Sequence, residues 1–202
     1  MTIGSWRESV IEYIRVEAQP EDKFGHQPRL YALARTIGQD MVYDDDVLFA
    51  AAWMHDLGVF LGHRPRDPEQ LFRWDHVPYT IARSRELLTS WGFPREKLDA
   101  VAEAIQKHQA KDDPTTIEAT LLRDADILEQ LGAIGIMRAV VKVGRDTRYP
   151  SFSSILPVLN HAVDHLTNQT RLIRSNTMAQ ARAEMLRSFL AAIYDEAGDL
   201  LY

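Results

Sequence analysis

Apolar positions along this chain return every three or four residues, the spacing of one face of an α-helix. Val10, Tyr13, Ile14 and Glu17 keep that rhythm over about residues 5–18, and Pro20-Glu21-Asp22-Lys23-Phe24-Gly25 breaks it. A second helix begins near His26 and carries Leu30, Leu33, Ala34 and Ile37 on one face. His26 lies one turn before Leu30 and starts that inward face; Gly38 ends the helix. Asp44-Asp45-Asp46 then supplies an N-cap and first-turn carboxylates for a helix through Val47, Leu48, Ala51 and Ala52 to His55. His55 shares the stripe of Leu48, Ala51 and Ala52, whereas Asp56 points about 100° away. Gly58 follows and suits the backbone of a helix C-terminus.

Residues 60–73, with Gly62, Pro65 and Pro68, read as a loop able to cover or shape a site. The next helix opens with His76 and stops at Gly92-Phe93-Pro94. Leu98, Val101, Ala102 and Ile105 mark another face, with His108 on its continuation. Ile117, Leu121, Ala125, Leu128 and Leu131 carry a helix through Arg123-Asp124-Ala125-Asp126. Helices are expected again at about 134–143, 153–166 and 177–196, with Pro157 tolerated in a first turn. Val140-Val141-Lys142-Val143 is the only strand-like run and is too short to build a sheet. The expected fold is all-α, about nine or ten helices in a single domain over residues 1–202. The helices of 153–196 close its core or, through Ile155, Leu159, Ala162 and Leu166, form a homodimer surface.

Composition narrows the chemistry. The 202 residues contain no cysteine, so disulfides and thiolate metal sites are excluded and any metal must use His, Asp or Glu. A net charge of −6 argues against a nucleic-acid backbone as partner but not against a small phosphorylated substrate. No apolar run is long enough to span a membrane. Met1-Thr2-Ile3-Gly4-Ser5-Trp6-Arg7-Glu8 lacks a signal-peptide core, so the cytoplasm is the expected compartment.

Against that background Ala50-Ala51-Ala52-Trp53-Met54-His55-Asp56-Leu57-Gly58 stands out. An imidazole and a carboxylate follow a run of apolar residues, and burying both costs several kcal/mol unless a partner satisfies them. A divalent metal is such a partner; a surface helix cap is the alternative on the dipeptide alone. The candidates multiply along the chain: His26, His55-Asp56, His76, His108 and Asp126 each fall on or at the start of a separate expected helix. Several imidazoles pointing into one small core repel if charged and need separate partners if neutral, and a shared cation removes both difficulties.

This pattern resembles the HD-domain superfamily of metal-dependent phosphohydrolases over roughly residues 25–138. The run Asp124-Ala125-Asp126-Ile127-Leu128 is similar to a signature of small bacterial HD proteins, with Ile127 where Arg is usual. The resemblance implies first-metal ligands at His26, His55, Asp56 and Asp126, and a second-metal or phosphate-facing role for His76 and His108. The helical stripe, by contrast, contains Asp124 more naturally than Asp126, leaving Asp124 as an alternative ligand or a group that orients one. Arg29 and Lys107, close in sequence to proposed ligands, are candidate phosphate partners. His63, His161 and His165 have no motif around them and read as surface residues.

The resemblance implies a hydrolase acting on a nucleotide or another small phosphate ester, using one or two divalent ions (Mn, Mg, Ni, Co, Zn or Fe) and a metal-activated water. Two other readings stand beside it. One is a di-iron oxygenase similar to inositol oxygenase, and the other is a non-catalytic HD module that binds a nucleotide.

Overall fold

The computed structural model describes residues 5–145 and 149–201, without the side chains of residues 22 and 199. The N-terminal tetrapeptide, read above as part of a segment without a signal-peptide core, lies outside them. Ten α-helices and no strand occur among the described residues. None of these helices is long and apolar enough to cross a membrane. The described chain divides after Arg123 into two compact units.

The first unit is built around α3 (Asp45–Met54), in which every residue from Val47 to Met54 is buried. A helix that is apolar on all sides belongs in the middle of a core. Here α3 packs against α1 (Trp6–Glu17), α2 (His26–Ile37) and α6 (Leu98–Gln106). The stripe of Leu48, Ala51 and Ala52 is buried as expected, and Phe49, Ala50, Trp53 and Met54 on the other sides of α3 are buried as well. Aromatic rings close around it, with Phe49 edge-on to Trp6 and Tyr31 at centroid distances of 5.4 and 5.1 Å. The 60–73 segment contains a short helix, α4 (Pro68–Phe72), capped by Asp67, before α5 (His76–Ser90).

The N-terminus of α3 is held by charge. Asp44 caps it, accepting from the amides of Asp46 and Val47 at 3.0 and 3.3 Å. Arg7 reaches Asp45 and Asp46 at 2.9 and 2.6 Å, and Lys97 reaches Asp44 and Asp46 at 2.8 and 2.9 Å. Hydrogen bonds from Arg7 and Lys97 hold the Asp46 carboxyl below its ordinary range. For Asp44, burial pushes the carboxyl up, but the Lys97 and backbone hydrogen bonds outweigh it and leave it lowered. A depressed native pKa means that the unfolded chain binds the proton more readily. The stabilisation is then complete above the unfolded value of about 3.9 and is lost as pH falls through the native value. Asp46→Asn is expected to lower the melting temperature at pH 7 by about 2–4 °C, the equivalent of about 1 kcal/mol for a part-exposed network. The difference from wild type should vanish near pH 2, as melts followed by circular dichroism at several pH values would show.

The helix α7 (Ile117–Glu129) runs through the division after Arg123. In the second unit α10 (Ile173–Ala197) packs on α8 (Gly132–Val140) and α9 (Leu156–His165), burying Ala179, Ala183, Leu186 and Leu190. Ile155, Leu159, Ala162 and Leu166, the face expected to be apolar, are all buried. His161 and His165 are exposed and stack on one another, as neighbours one turn apart should.

Candidate metal centre

The buried helix α3 ends at Met54, and His55 is its C-cap. The His55 ring turns back so that Nδ1 lies 2.9 Å from the carbonyl oxygen of Ala52. A carbonyl only accepts, so Nδ1 carries the proton and Nε2 of the neutral ring presents a lone pair. The same logic fixes His108, whose Nδ1 donates to Ile105 O at 2.6 Å just beyond the end of α6. His26 is the first residue of α2, and its Nε2 lies 3.3 Å from His55 Nε2. All three rings are buried.

Asp56 leaves the helix and turns its carboxylate among these rings. Its Oδ2 lies 3.6 Å from His55 Nε2 and 3.8 Å from His26 Nε2, while Oδ1 lies 3.7 Å from Nε2 of His76, the first residue of α5. Ring centroids of His55 and His108 are 5.1 Å apart, and those of His76 and His108 are 5.6 Å apart. Two groups result, His26–His55–Asp56 and Asp56–His76–His108, each with its ligand atoms within 4.8 Å of one another. Asp56 belongs to both, through opposite oxygens.

The Asp56–imidazole separations are too long for hydrogen bonds, and of the distances given only that between His26 and His55, at 3.3 Å, falls in that range. Two ligands held at about 2.1 Å from one cation stand roughly 3.0–3.4 Å apart in octahedral or tetrahedral arrangement, close to the spacings found. A set of imidazole lone pairs aimed with a carboxylate at common points is a donor set for a divalent ion, and the residues present fit one. Burial pushes the Asp56 carboxyl up, while positive charge on His55, His26, His108 and His76, whenever those rings are protonated, pulls it far below the ordinary range.

The model of the HD domain matches residues 24–131, more than half of the chain. The chain belongs to the HD-domain family. YpgQ of Bacillus subtilis strain 168, itself described as uncharacterized, is 27 % identical over 149 residues, covering 70 % of this chain and 65 % of that protein's length. Its crystal structure in complex with ADP has a TM-score of 0.71 at 20 % identity, covering 96 % of both chains. A predicted HD superfamily hydrolase from an uncultured Thermotogales bacterium has a TM-score of 0.62 at 21 % identity, covering 95 % of this chain and 92 % of that one. At such identities the structural likeness speaks to the fold of the HD domain.

Within this HD domain, five residues singled out in the sequence, His26, His55, Asp56, His76 and His108, meet in the first unit. Asp126 lies in the second unit on α7, partly buried, its Oδ1 4.0 Å from Arg138 Nη1 and its Oδ2 3.4 Å from Gln130 Nε2. Asp124 is fully buried, and its carboxylate accepts from the amides of Arg171 and Leu172 and from the Ser175 hydroxyl. That engagement explains why the helical stripe contains Asp124. Arg29 is exposed on α2, and Lys107 is the part-buried C-cap of α6.

His63 corrects the sequence reading: its side chain is only 7 % exposed. Its Nδ1 accepts from the Tyr79 hydroxyl at 2.7 Å and its Nε2 donates to Glu17 at 3.0 Å, so one neutral tautomer satisfies both. The signal was Glu17 itself, a carboxylate on the inward face of α1 that needed a partner.

Proposed function

We propose that this HD domain is a metal-dependent phosphohydrolase acting on a nucleotide or another small phosphate ester. The observation that carries the reading is the carboxylate of Asp56 shared between two clusters of imidazole ligands. A divalent ion bound there supplies Lewis-acid polarisation of a phosphoryl oxygen and makes water nucleophilic near neutral pH.

His26, His55 and Asp56 would hold one ion; Asp126 is proposed as a ligand from the motif alone. Asp56, His76 and His108 would hold a second, or leave His76 and His108 to face the phosphate. The carbonyls of Ala52 and Ile105 keep the His55 and His108 tautomers in ligand form, the support that metal-binding histidines ordinarily have. Arg29 and Lys107 are the cationic side chains proposed to meet the phosphate. Specificity is assigned to the 60–73 segment, which with the end of α1 walls a cleft of about 610 Å³ bearing Arg64 and Arg66. That YpgQ has been crystallised with ADP supports a nucleotide as the class of substrate.

The convergence of His76 and His108 on Asp56 also suits the di-iron oxygenase reading. One experiment separates the two. Metal-stripped protein is supplied with Mg, Mn, Co, Ni or Fe and screened against nucleotides and phosphomonoesters for phosphate release. Metal-dependent release that a chelator abolishes is expected. Absence of release with every ion, or oxygen consumption by protein loaded anaerobically with two irons per chain, would overturn the hydrolase.

A further inference from the structure

Gly58 lies two residues beyond Asp56, in the turn Leu57–Val59, and both of its backbone polar groups are used by the neighbourhood of His76. Its N–H donates to Thr80 Oγ1 at 3.0 Å, and its carbonyl accepts from Trp74 Nε1 at 2.9 Å. Trp74 stands two residues before His76 and Thr80 one helical turn after it, so the two contacts straddle the ligand. A Cβ on Gly58 would come within 2.9 Å of the His76 carbonyl oxygen and 3.0 Å of His76 Cβ. The first of these is backbone and cannot swing aside. Gly58 is absent from the positive-φ glycines, which corrects the helix C-cap expected from sequence: its use is close approach, not a left-handed turn.

Thr80 is fully buried on α5. Threonines elsewhere in helices, such as Thr36, Thr89 and Thr120, bond back to the carbonyl four residues earlier in the chain. Thr80 instead accepts an amide from a different element. The start of α5 is set as well, because Asp75 caps it by accepting from Val77 N at 3.0 Å. Register along α5 and distance from the turn are therefore both defined at the residue whose Nε2 lies 3.7 Å from Asp56 Oδ1.

We propose that Thr80 and Trp74 are positioning residues that clasp Gly58 and hold His76 against Asp56, setting the affinity of the Asp56–His76–His108 group for its ion. The proposal rests on the two-group reading above. Its test is a titration of metal-stripped full-length protein with Co(II), followed by visible absorption and by direct metal analysis, beside the melting temperature of the stripped protein. His76→Ala marks the phase that belongs to this group. Thr80→Val, nearly isosteric but without the acceptor, is expected to weaken that phase by about 10–100-fold and leave the other unchanged, and Thr80→Ser to restore it to within about threefold. Trp74→Phe, which keeps a ring beside Tyr79 and deletes the donor, should weaken the same phase.

A Thr80→Val protein that titrates like wild type overturns the proposal. So does one in which both phases and the melting temperature fall together, since that is loss of packing. If His76→Ala itself leaves the titration unchanged, the two-group reading fails and takes the proposal with it, an outcome visible without the Thr80 variants.

Discussion

Asp56→Ala is expected to strip the protein of bound metal and to lower phosphate release by about 10³-fold or more. The size follows from the shared position of this carboxylate. Its Oδ2 faces His55 and His26 while its Oδ1 faces His76, so one substitution removes an anionic donor from both groups. What remains of both groups in the first unit is imidazole, a neutral donor that holds a hard divalent ion less tightly than a carboxylate does. Loss of His108 should do less, because it belongs to one group only. The fold is expected to survive: α3 is held by eight consecutive buried residues, and Asp56 lies beyond its C-cap. Metal content after desalting, turnover and the far-ultraviolet spectrum are the three measurements. A variant that keeps its metal and its turnover would remove Asp56 from the mechanism altogether.

What the sequence made legible were the features written in local spacing. His55 could be placed on the inner side of its helix because Leu48, Ala51 and Ala52 precede it at helical intervals, and Asp44 could be read as the cap because three acids stand before an apolar run. The convergence of His26, His76 and His108 was legible only as an order of residue types over separate helices, since periodicity places a residue on a face and does not say which faces meet. Features made by distant partners were not legible. His63 looked like a surface residue because its partners, Glu17 and Tyr79, lie 46 and 16 residues away. Gly58 looked like a helix terminator because the His76 backbone that it must admit comes from the next helix. The start of α10 was expected at 177, four residues late. Its N-cap is Leu172, which has no side chain to signal a beginning, and the capping acceptor is Asp124, 48 residues upstream.

That distant cap leads to the second large effect. Asp124→Ala is expected to destabilise the second unit by about 3–5 kcal/mol, which for a chain of this size is roughly 6–20 °C in melting temperature. The carboxylate is wholly buried, and it satisfies the amides of Arg171 and Leu172 together with the Ser175 hydroxyl. Alanine takes this acceptor from the two amides at the start of a 25-residue helix, while the Ser175 hydroxyl keeps the Leu172 carbonyl. A buried donor that has lost its acceptor costs the full desolvation of that group. Asp124→Asn should rescue little: an amide offers one oxygen where two are used, and its NH₂ faces donors. Ser175→Ala, which removes one donor and leaves the carboxylate satisfied by backbone, should cost only about 1 kcal/mol. Amide exchange on residues 171–175 would locate the damage, with protection there falling before protection in α3. The same variant separates the two aspartates. At a temperature where the second unit remains folded, Asp124→Ala is expected to keep its metal and Asp126→Ala to lose it. The reverse result would favour Asp124 over Asp126 as the ligand that the motif implies.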